Sequence, residues 1–276
     1  MNRANLVAEI FRKKSFLCVG LDTELSKIPA HLQKEHDSVF EFNKRIIDAT
    51  RHLCVAYKPN LAFYEALGPE GWNVFARTVE YIGNEHFIIA DAKRGDIGNT
   101  GRKYAEAFFR ILNCDAVTVS PYMGQDSVSP FLDFHDKWAI VLALTSNPGS
   151  NDFQRAHLQA SGEQLWEKVL REVSAWGTAE NLMFVTGATH PKDFARIREI
   201  VPDHFLLVPG VGAQGGDLHA ICEHGLNDDC GLLVNASRSI LYASSGEDFA
   251  EKAHEEALRL QQDMRELMKH RYKDVM

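Results

Sequence analysis

The sequence predicts an α/β fold: a single (β/α)8 TIM-barrel domain spanning residues 1–276, with an additional helix at each end. Eight short apolar runs are rich in β-branched residues, and none alternates cleanly between polar and apolar, which is typical of parallel strands buried on both faces. Their starts advance from residue 16 to residue 231 in seven steps of about 31 residues, the length of one βα unit. Helix-like stretches lie between the runs without a break in composition, which favours one closed parallel sheet.

The predicted elements follow in chain order from an opening helix over residues 1–15. Strands are predicted at 16–22, 54–60, 87–93, 116–121, 139–146, 182–188, 205–211 and 231–237. Helices are predicted at 39–53, 71–83, 100–112, 162–176, 191–201 and 217–224, with a charged, solvated outer helix from 247 to about 269. The widest interval between strands contains Asn147-Pro-Gly-Ser-Asn-Asp152, so we expect a longer substrate-covering loop there.

An open, doubly wound sheet is the main alternative to the barrel. Its usual signature is a glycine-rich turn directly after the first strand, whereas the first predicted strand here ends Val19-Gly-Leu-Asp22. In a barrel, polar residues at the carboxyl ends of the strands face the mouth where active sites lie. These strand ends are therefore the first place to search for function.

Composition excludes several classes of protein. Thirty Lys and Arg against 38 Asp and Glu give a net charge of −8, which excludes a nucleic-acid binder driven by bulk positive charge. The five cysteines include no C-x-x-C pair, which favours a reduced, cytoplasmic setting. The first 15 residues match neither a signal peptide nor a membrane span. The twelve histidines show no metal-ligand spacing, so no metal site is predicted.

The strongest local signal is Ile88-Ile-Ala-Asp-Ala-Lys-Arg-Gly-Asp-Ile-Gly-Asn-Thr100. Asp91 and Lys93 are two residues apart on a predicted strand, so their side chains share one face. Lys58, at the end of the preceding strand, adds a second cation, and Asp96 adds a second carboxylate from the following loop. A buried structural salt-bridge network is the alternative interpretation, but four charges at strand ends beside a glycine-rich loop favour a catalytic site.

A second signal is Leu207-Val-Pro-Gly-Val-Gly-Ala-Gln-Gly-Gly-Asp217, directly before a predicted helix. Glycines let backbone N–H groups approach an anion, and the helix N-terminus adds a favourable potential. A tight turn would explain the glycines equally well. Arg238, which follows the eighth predicted strand, lies at the position that completes a barrel phosphate site and favours phosphate binding.

These residues resemble the orotidine 5′-phosphate decarboxylase family over essentially the whole chain, particularly its bacterial type 2 branch. The segment 91–100 is similar to the family's D-x-K-x-x-D-I-x-x-T motif, and the segment 209–217 to its phosphate-gripping segment. Val19-Gly-Leu-Asp22 and Tyr57-Lys-Pro-Asn60 resemble its first two strand ends. The resemblance implies cofactor-free decarboxylation of orotidine 5′-phosphate to UMP and carbon dioxide, the last step of de novo UMP biosynthesis.

The resemblance also implies roles for individual residues. The catalytic tetrad would be Lys58, Asp91, Lys93 and Asp96, with Lys93 as the proton donor. The substrate contacts would be Asp22 on the ribose hydroxyls, Thr100 beside Asp96, Ser146 and Gln214 at the pyrimidine, Pro209 along the base pocket, and Arg238 on the phosphate.

The last expectations concern the oligomeric state of the protein and two alternative functions. The resemblance implies a homodimer in which Asp96 and Thr100 reach the partner's site. The composition and the sequence pattern predict neither nucleic acid nor a membrane as partner. One rival is a related barrel that decarboxylates or condenses a sugar phosphate with a magnesium ion. The other is a catalytically silent barrel that binds phosphate.

Overall fold

Eight parallel strands close into a barrel in sequential order, β1 to β8, in the computed structural model, which describes residues 1–35, 37–188, 192–210 and 217–273. The register at the closure pairs Leu17 of β1 with Val234 of β8. The strands are β1 Leu17–Leu21, β2 Ala56–Pro59, β3 Phe87–Arg94, β4 Ala116–Val119, β5 Trp138–Leu144, β6 Leu182–Thr186, β7 Phe205–Pro209 and β8 Leu232–Ala236. The closed sheet excludes the doubly wound alternative, and each predicted strand end lies within two residues of the observed one.

Helices surround the barrel. The α-helices of the described residues are α1 Arg3–Lys13, α2 Ser38–Thr50, α3 Leu61–Glu65, α4 Pro69–Ile82, α5 Gly98–Glu106, α6 Gln125–Leu132, α7 Ser150–Phe153, α8 Leu165–Ser174, α9 Asp193–Ile200, α10 Leu218–Gly225, α11 Arg238–Leu241 and α12 Phe249–Arg271. A 3-10 turn spans Leu25–Lys27, and α5 continues as a π-helical turn over Ala107–Ile111. None of the helices in the described residues is long and apolar enough to cross a membrane.

The strands are buried along most of their length because the helices cover their outer faces and side chains fill the interior. The C-terminal helix α12 contributes to this layer more than the sequence suggests. Its charged residues face solvent, but a stripe that includes Ala253, Leu260 and Met264 is buried against the rest of the protein. The expectation of a solvated outer helix is therefore correct for one face only.

Four short helices are the main difference from the sequence prediction. Helices α3, α6, α7 and α11 have four to eight residues each and were not predicted. Such segments are too short for a helical period to stand out, and α6 also contains Pro130. The loop expected around residues 147–152 contains α7. The single-domain boundary at 1–276 stays a prediction.

Candidate active site

A pocket of about 400 Å³ opens at the carboxyl ends of the strands. Parallel strands bring their carboxyl ends to one rim, so residues far apart in sequence meet there. The side chains and backbone around it come from β1, β2, β3, β7, β8 and the loops that follow them. The lining residues are Asp22, Glu24, Lys27, Lys58, Asn60, Phe63, Asp91, Pro209, Gly210, Asn235, Ser237, Arg238 and Tyr242.

A chain of alternating charges lies at the base of this pocket. The ammonium of Lys58 donates to Asp91 Oδ2 at 2.6 Å and lies 3.9 Å from Asp22 Oδ1. The ammonium of Lys93 donates to the other oxygen of Asp91, Oδ1, at 2.7 Å. The Lys58 and Asp91 side chains are only 5% and 10% exposed, whereas Lys93 is half exposed. Lys58 and Asp91 thus form the buried half of the network, and Lys93 forms the half that solvent or a ligand can reach.

Burial and neighbouring charges shift the pKa values of Lys58 and Asp91 in opposite directions, and the charges dominate. Burial alone would raise the pKa of Asp91, but the charges of Lys58 and Lys93 and their hydrogen bonds outweigh burial and hold that pKa well below its usual range. Burial would lower the pKa of Lys58, but the Asp91 and Asp22 carboxylates outweigh burial and raise it. Both groups are therefore ionised at neutral pH.

The backbone at Lys93 departs from a regular strand. The register between β3 and β4 shifts between Ala90 and Arg94, and Lys93 has a φ of +47°, in the left-handed region. Simple alternation along a strand is therefore not what brings Lys93 to Asp91. The buried hydroxyl of Thr118 on β4 accepts from the Lys93 backbone N–H at 2.9 Å and donates to Asp91 Oδ1 at 3.0 Å.

Asp22 lies opposite this network, at the end of β1. Its Oδ2 accepts a hydrogen bond from Ser237 at 2.8 Å, and its backbone carbonyl accepts one from the hydroxyl of Tyr242 at 3.0 Å. The same hydroxyl accepts from the backbone N–H of Glu24 at 2.8 Å. Oδ1 of Asp22 is buried and has no hydrogen-bond partner among the described residues, although the ammonium of Lys58 lies 3.9 Å from it.

The rim formed by β7 and β8 carries Pro209, Gly210 and Arg238. Gly210, directly after β7, has a φ of +95°, a conformation that suits glycine. Arg238 begins α11 directly after β8, and its side chain is exposed on the pocket wall. Gln214 and the rest of the segment 211–216 lie outside the described residues.

Four of the predicted site residues that the structure describes do not line this pocket: Ser146, Asp96, Thr100 and Lys93, the last of which still reaches Asp91. Asp96 accepts a hydrogen bond from the backbone N–H of Ile97 at 2.8 Å, and Thr100 is exposed on α5. Neither is among the residues that line the pocket in the described part of the chain. The sequence therefore groups Asp96 with Lys58, Asp91 and Lys93, but within one chain the structure does not.

Ser146 follows β5 and packs against the end of β6. A Cβ atom at Gly187 would come within 2.6 Å of the Ser146 backbone nitrogen and 2.9 Å of its Cα, so only glycine allows this approach. The neighbouring Thr145 N–H donates to Gln154 Oε1 at 2.7 Å, which ties the start of the loop to the residue after α7. The loop after β5 thus has a defined anchor at the mouth.

Sequence reasoning missed Thr118, Ser237 and Tyr242. Ser237 stands in the Asn235-Ala-Ser-Arg segment beside Arg238, and its place at a strand end was an available signal. Thr118 lies inside an apolar run, where nothing local distinguishes it from a core threonine. Tyr242 meets Asp22 across 220 residues of sequence, a contact that no local pattern encodes.

The chain is similar over most of its length to one family of known proteins. The Orotidine 5′-phosphate decarboxylase / HUMPS family model matches residues 15–253. The chain is 57% identical over 271 residues to orotidine 5′-phosphate decarboxylase of Phocaeicola vulgatus, covering 97% of this chain and 99% of that protein. It is 58% identical over 271 residues to that of Flavobacterium johnsoniae, covering 97% and 98%.

Two solved structures show the same architecture. OMP decarboxylase of Leishmania donovani superposes with a TM-score of 0.79 at 37% identity, covering 95% of this chain and 99% of that one. UMP synthase of the same organism superposes with a TM-score of 0.80 at 39% identity over 93% of this chain. This chain spans only 56% of that UMP synthase chain.

Proposed function

The chain belongs to the Orotidine 5′-phosphate decarboxylase / HUMPS family, and we propose that its pocket decarboxylates orotidine 5′-phosphate to UMP and carbon dioxide, the last step of de novo UMP biosynthesis. This activity makes the protein a carboxy-lyase. The observation that carries the proposal at the level of the site is the Lys58–Asp91–Lys93 chain of charges, half buried at the mouth of the barrel. We also propose that residues 1–276 act as one domain and that the enzyme is cytoplasmic.

Lys93 is the residue that meets the developing charge. When the bond between C6 and the carboxylate breaks, carbon dioxide leaves and the electron pair stays on C6, in the plane of the ring. A fixed ammonium beside C6 stabilises this carbanion electrostatically. One proton of that ammonium then moves to C6, which gives UMP, and Lys93 regains a proton from water.

Asp91 and Lys58 prepare the site for this step. Because Lys58 and Lys93 keep Asp91 ionised, a negative charge stands beside the carboxylate of the bound substrate. This repulsion disappears as carbon dioxide leaves, so it raises the energy of the ground state relative to the transition state. Lys58, buried between Asp91 and Asp22, holds both carboxylates in place.

The remaining roles are the ones that the family resemblance implies. Asp22, which lines the pocket, accepts from the ribose hydroxyls. Pro209 lines the base, Ser146 and Gln214 contact the pyrimidine, and Arg238 binds the phosphate at the start of α11. Binding energy from the phosphate, remote from C6, is then available to organise the loops around the reacting ring.

A homodimer with shared sites accounts for Asp96 and Thr100. Both residues project from the segment after β3 and do not line the pocket of their own chain. The same surface and the neighbouring loop after β4 expose large apolar side chains: Ile97 is 47% exposed, Tyr122 89% and Met123 51%. A second copy of the chain would cover these side chains and bring Asp96 and Thr100 into its site, as an isologous two-fold interface permits.

Complementation tests the shared site. Lys93→Ala and Asp96→Ala chains, each nearly inactive, are unfolded together in equal amounts and refolded. Half of the dimers are then mixed, and one of the two sites in each mixed dimer is complete, so about a quarter of all sites recover activity. The matched control pairs Lys93→Ala with Lys58→Met, two residues of the same chain's site, and recovers none. Activity that stays at the level of the separate variants despite proven mixed dimers would mean that Asp96 acts within its own chain.

An absorbance assay for loss of orotidine 5′-phosphate tests the function directly. We expect turnover that is unchanged by excess EDTA. Loss of activity with EDTA would favour the magnesium-dependent sugar-phosphate barrel. Binding of UMP without any turnover would favour the silent phosphate-binding barrel.

A further inference from the structure

We infer that Thr118 is a positioning residue for the decarboxylation, whose hydroxyl holds Lys93 and Asp91 in the arrangement that the reaction needs. This inference rests on the proposed function. The hydroxyl is 3.0 Å from Asp91 Oδ1 and 2.9 Å from the Lys93 backbone nitrogen, and the residue is 1% exposed. Thr118 therefore acts on the reacting groups through its two neighbours.

The contacts of Thr118 close a ring. The backbone N–H of Lys93 donates to the Thr118 hydroxyl, the hydroxyl donates to Asp91 Oδ1, and the ammonium of Lys93 donates to the same oxygen at 2.7 Å. Backbone and side chain of Lys93 are thus tied to one carboxylate oxygen. The other oxygen, Oδ2, accepts from Lys58 at 2.6 Å. Each oxygen of Asp91 therefore has an assigned lysine, and rotation of the carboxylate would break both contacts.

The backbone conformation of Lys93 requires stabilisation by a neighbouring group. A lysine at a φ of +47° lies in the left-handed region, which costs a residue with a Cβ about 1–2 kcal/mol and persists only where the surroundings impose it. The β3–β4 register also shifts across this residue. The Thr118 hydroxyl serves as the acceptor for the Lys93 N–H at this irregularity. The conformation that directs Lys93 to Asp91 thus depends on a side chain of the next strand.

The test compares three variants of the full-length enzyme. Thr118→Val removes the hydroxyl and keeps the branched shape, while Thr118→Ser keeps the hydroxyl. The matched control is Thr78→Val on α4: Thr78 is also fully buried, donates to Val74 O at 2.8 Å and accepts from Asn43 at 3.3 Å. Both valine variants therefore lose one donated and one accepted hydrogen bond, but only one of them does so at the mouth.

We expect kcat to fall about 10- to 100-fold in Thr118→Val, the effect of losing a hydrogen bond to a charged group. The affinity for UMP should change less than about 3-fold, because UMP lacks the carboxylate and the developing charge. Thr118→Ser should recover kcat to within about 3-fold, and Thr78→Val should keep it despite a comparable loss of stability. A kcat in Thr118→Val no lower than in Thr78→Val, or no recovery with serine, would overturn the inference.

A crystal structure of Thr118→Val separates this inference from the proposed function. We expect Lys93 to leave the left-handed region or its ammonium to move more than 3.5 Å from Asp91 Oδ1, beyond hydrogen-bond distance. An unchanged Lys93 would refute the positioning role even if the wild-type enzyme decarboxylates orotidine 5′-phosphate. A wild-type enzyme that fails to decarboxylate would refute the proposed function, while the crystal structure still decides what Thr118 does to Lys93.

Discussion

Asp91→Asn should destabilise the folded protein as well as the reaction. The substitution replaces the carboxylate that Lys58 contacts at 2.6 Å by a neutral amide, so the closest anion to this ammonium, 5% exposed, becomes the Asp22 oxygen at 3.9 Å among the described residues. Removing one partner of a buried ion pair typically costs about 3–5 kcal/mol, because the other charge stays buried without compensation. The contact with Lys93 adds little to this cost, since Lys93 is half exposed and screened by water.

The expected change in melting temperature follows from the chain length. At roughly 2.1 cal/mol/K per residue, a 276-residue chain unfolds with an entropy of about 0.6 kcal/mol/K. A loss of about 3–5 kcal/mol therefore lowers Tm by about 5–9 °C. Lys93→Met, which removes the exposed cation, should lower Tm by less than about 2 °C.

Urea and thermal unfolding at pH 7, followed by circular dichroism, measure these differences. The decisive comparison repeats Asp91→Asn in a Lys58→Met chain, where no buried ammonium is left without a partner. The cost of Asp91→Asn should fall there by more than about 1.5 kcal/mol. If Asp91→Asn unfolds within about 1 kcal/mol of the wild type, or costs the same in both backgrounds, then Lys58 does not depend on Asp91 and the reasoning fails.

Three further predictions address chemistry, recognition and pH. Lys93→Ala should lower kcat by at least about 10⁴-fold while UMP still binds, because the ammonium acts on charge that develops in the transition state; substantial residual decarboxylation would contradict its role. Arg238→Ala should lower kcat/KM about 10- to 150-fold for orotidine 5′-phosphate but leave orotidine nearly unaffected, and an equal penalty on both substrates would move Arg238 away from the phosphate. Burial lowers the pKa of His86 to about 4 from the ordinary 6.5, so the unfolded chain binds the extra proton between these values. The His86 contribution to the free energy of unfolding should therefore fall as the pH is lowered from about 6.5 to about 4, by up to about 1.4 kcal/mol per pH unit, and His86→Gln should reduce the overall slope by that amount; equal slopes would show that His86 does not contribute.

The barrel could be predicted because buried parallel strands produce a clear pattern in the sequence. Each strand is a short apolar run, and the spacing between runs records the βα unit. Polar residues near the strand ends, such as Lys58 and Asp91, could be identified for the same reason, because the carboxyl end of each apolar run lies at the mouth of the barrel. The family assignment and the decarboxylase function predicted from these motifs are confirmed by the family model and the curated relatives. The site roles stay predictions.

The fine geometry of the mouth could not be predicted, because it depends on contacts between strands. The sequence places Lys93 on the same face as Asp91 by alternation, whereas the two side chains meet across a register shift with Lys93 in the left-handed region. Whether Thr118 faces Asp91 depends on the register of β4 against β3, which no local pattern encodes. Asp96 is two residues beyond β3, and only the path of the backbone decides whether it turns toward its own pocket.

The charges at the mouth explain why one site can both hold the substrate and expel its carboxylate. Asp22 and Asp91 balance Lys58 and Lys93, so this set of four is neutral before a ligand enters. On the proposed mechanism Arg238 offsets part of the charge of the phosphate, while the carboxylate at C6 adds a negative charge beside Asp91 that no buried cation is free to match, since Lys58 is shared between two aspartates. Loss of carbon dioxide moves this charge onto C6, toward the half-exposed ammonium of Lys93, and the proton transfer then cancels it. The buried half of the network therefore makes the carboxylate unfavourable, and the exposed ammonium of Lys93 stabilises the carbanion that replaces it.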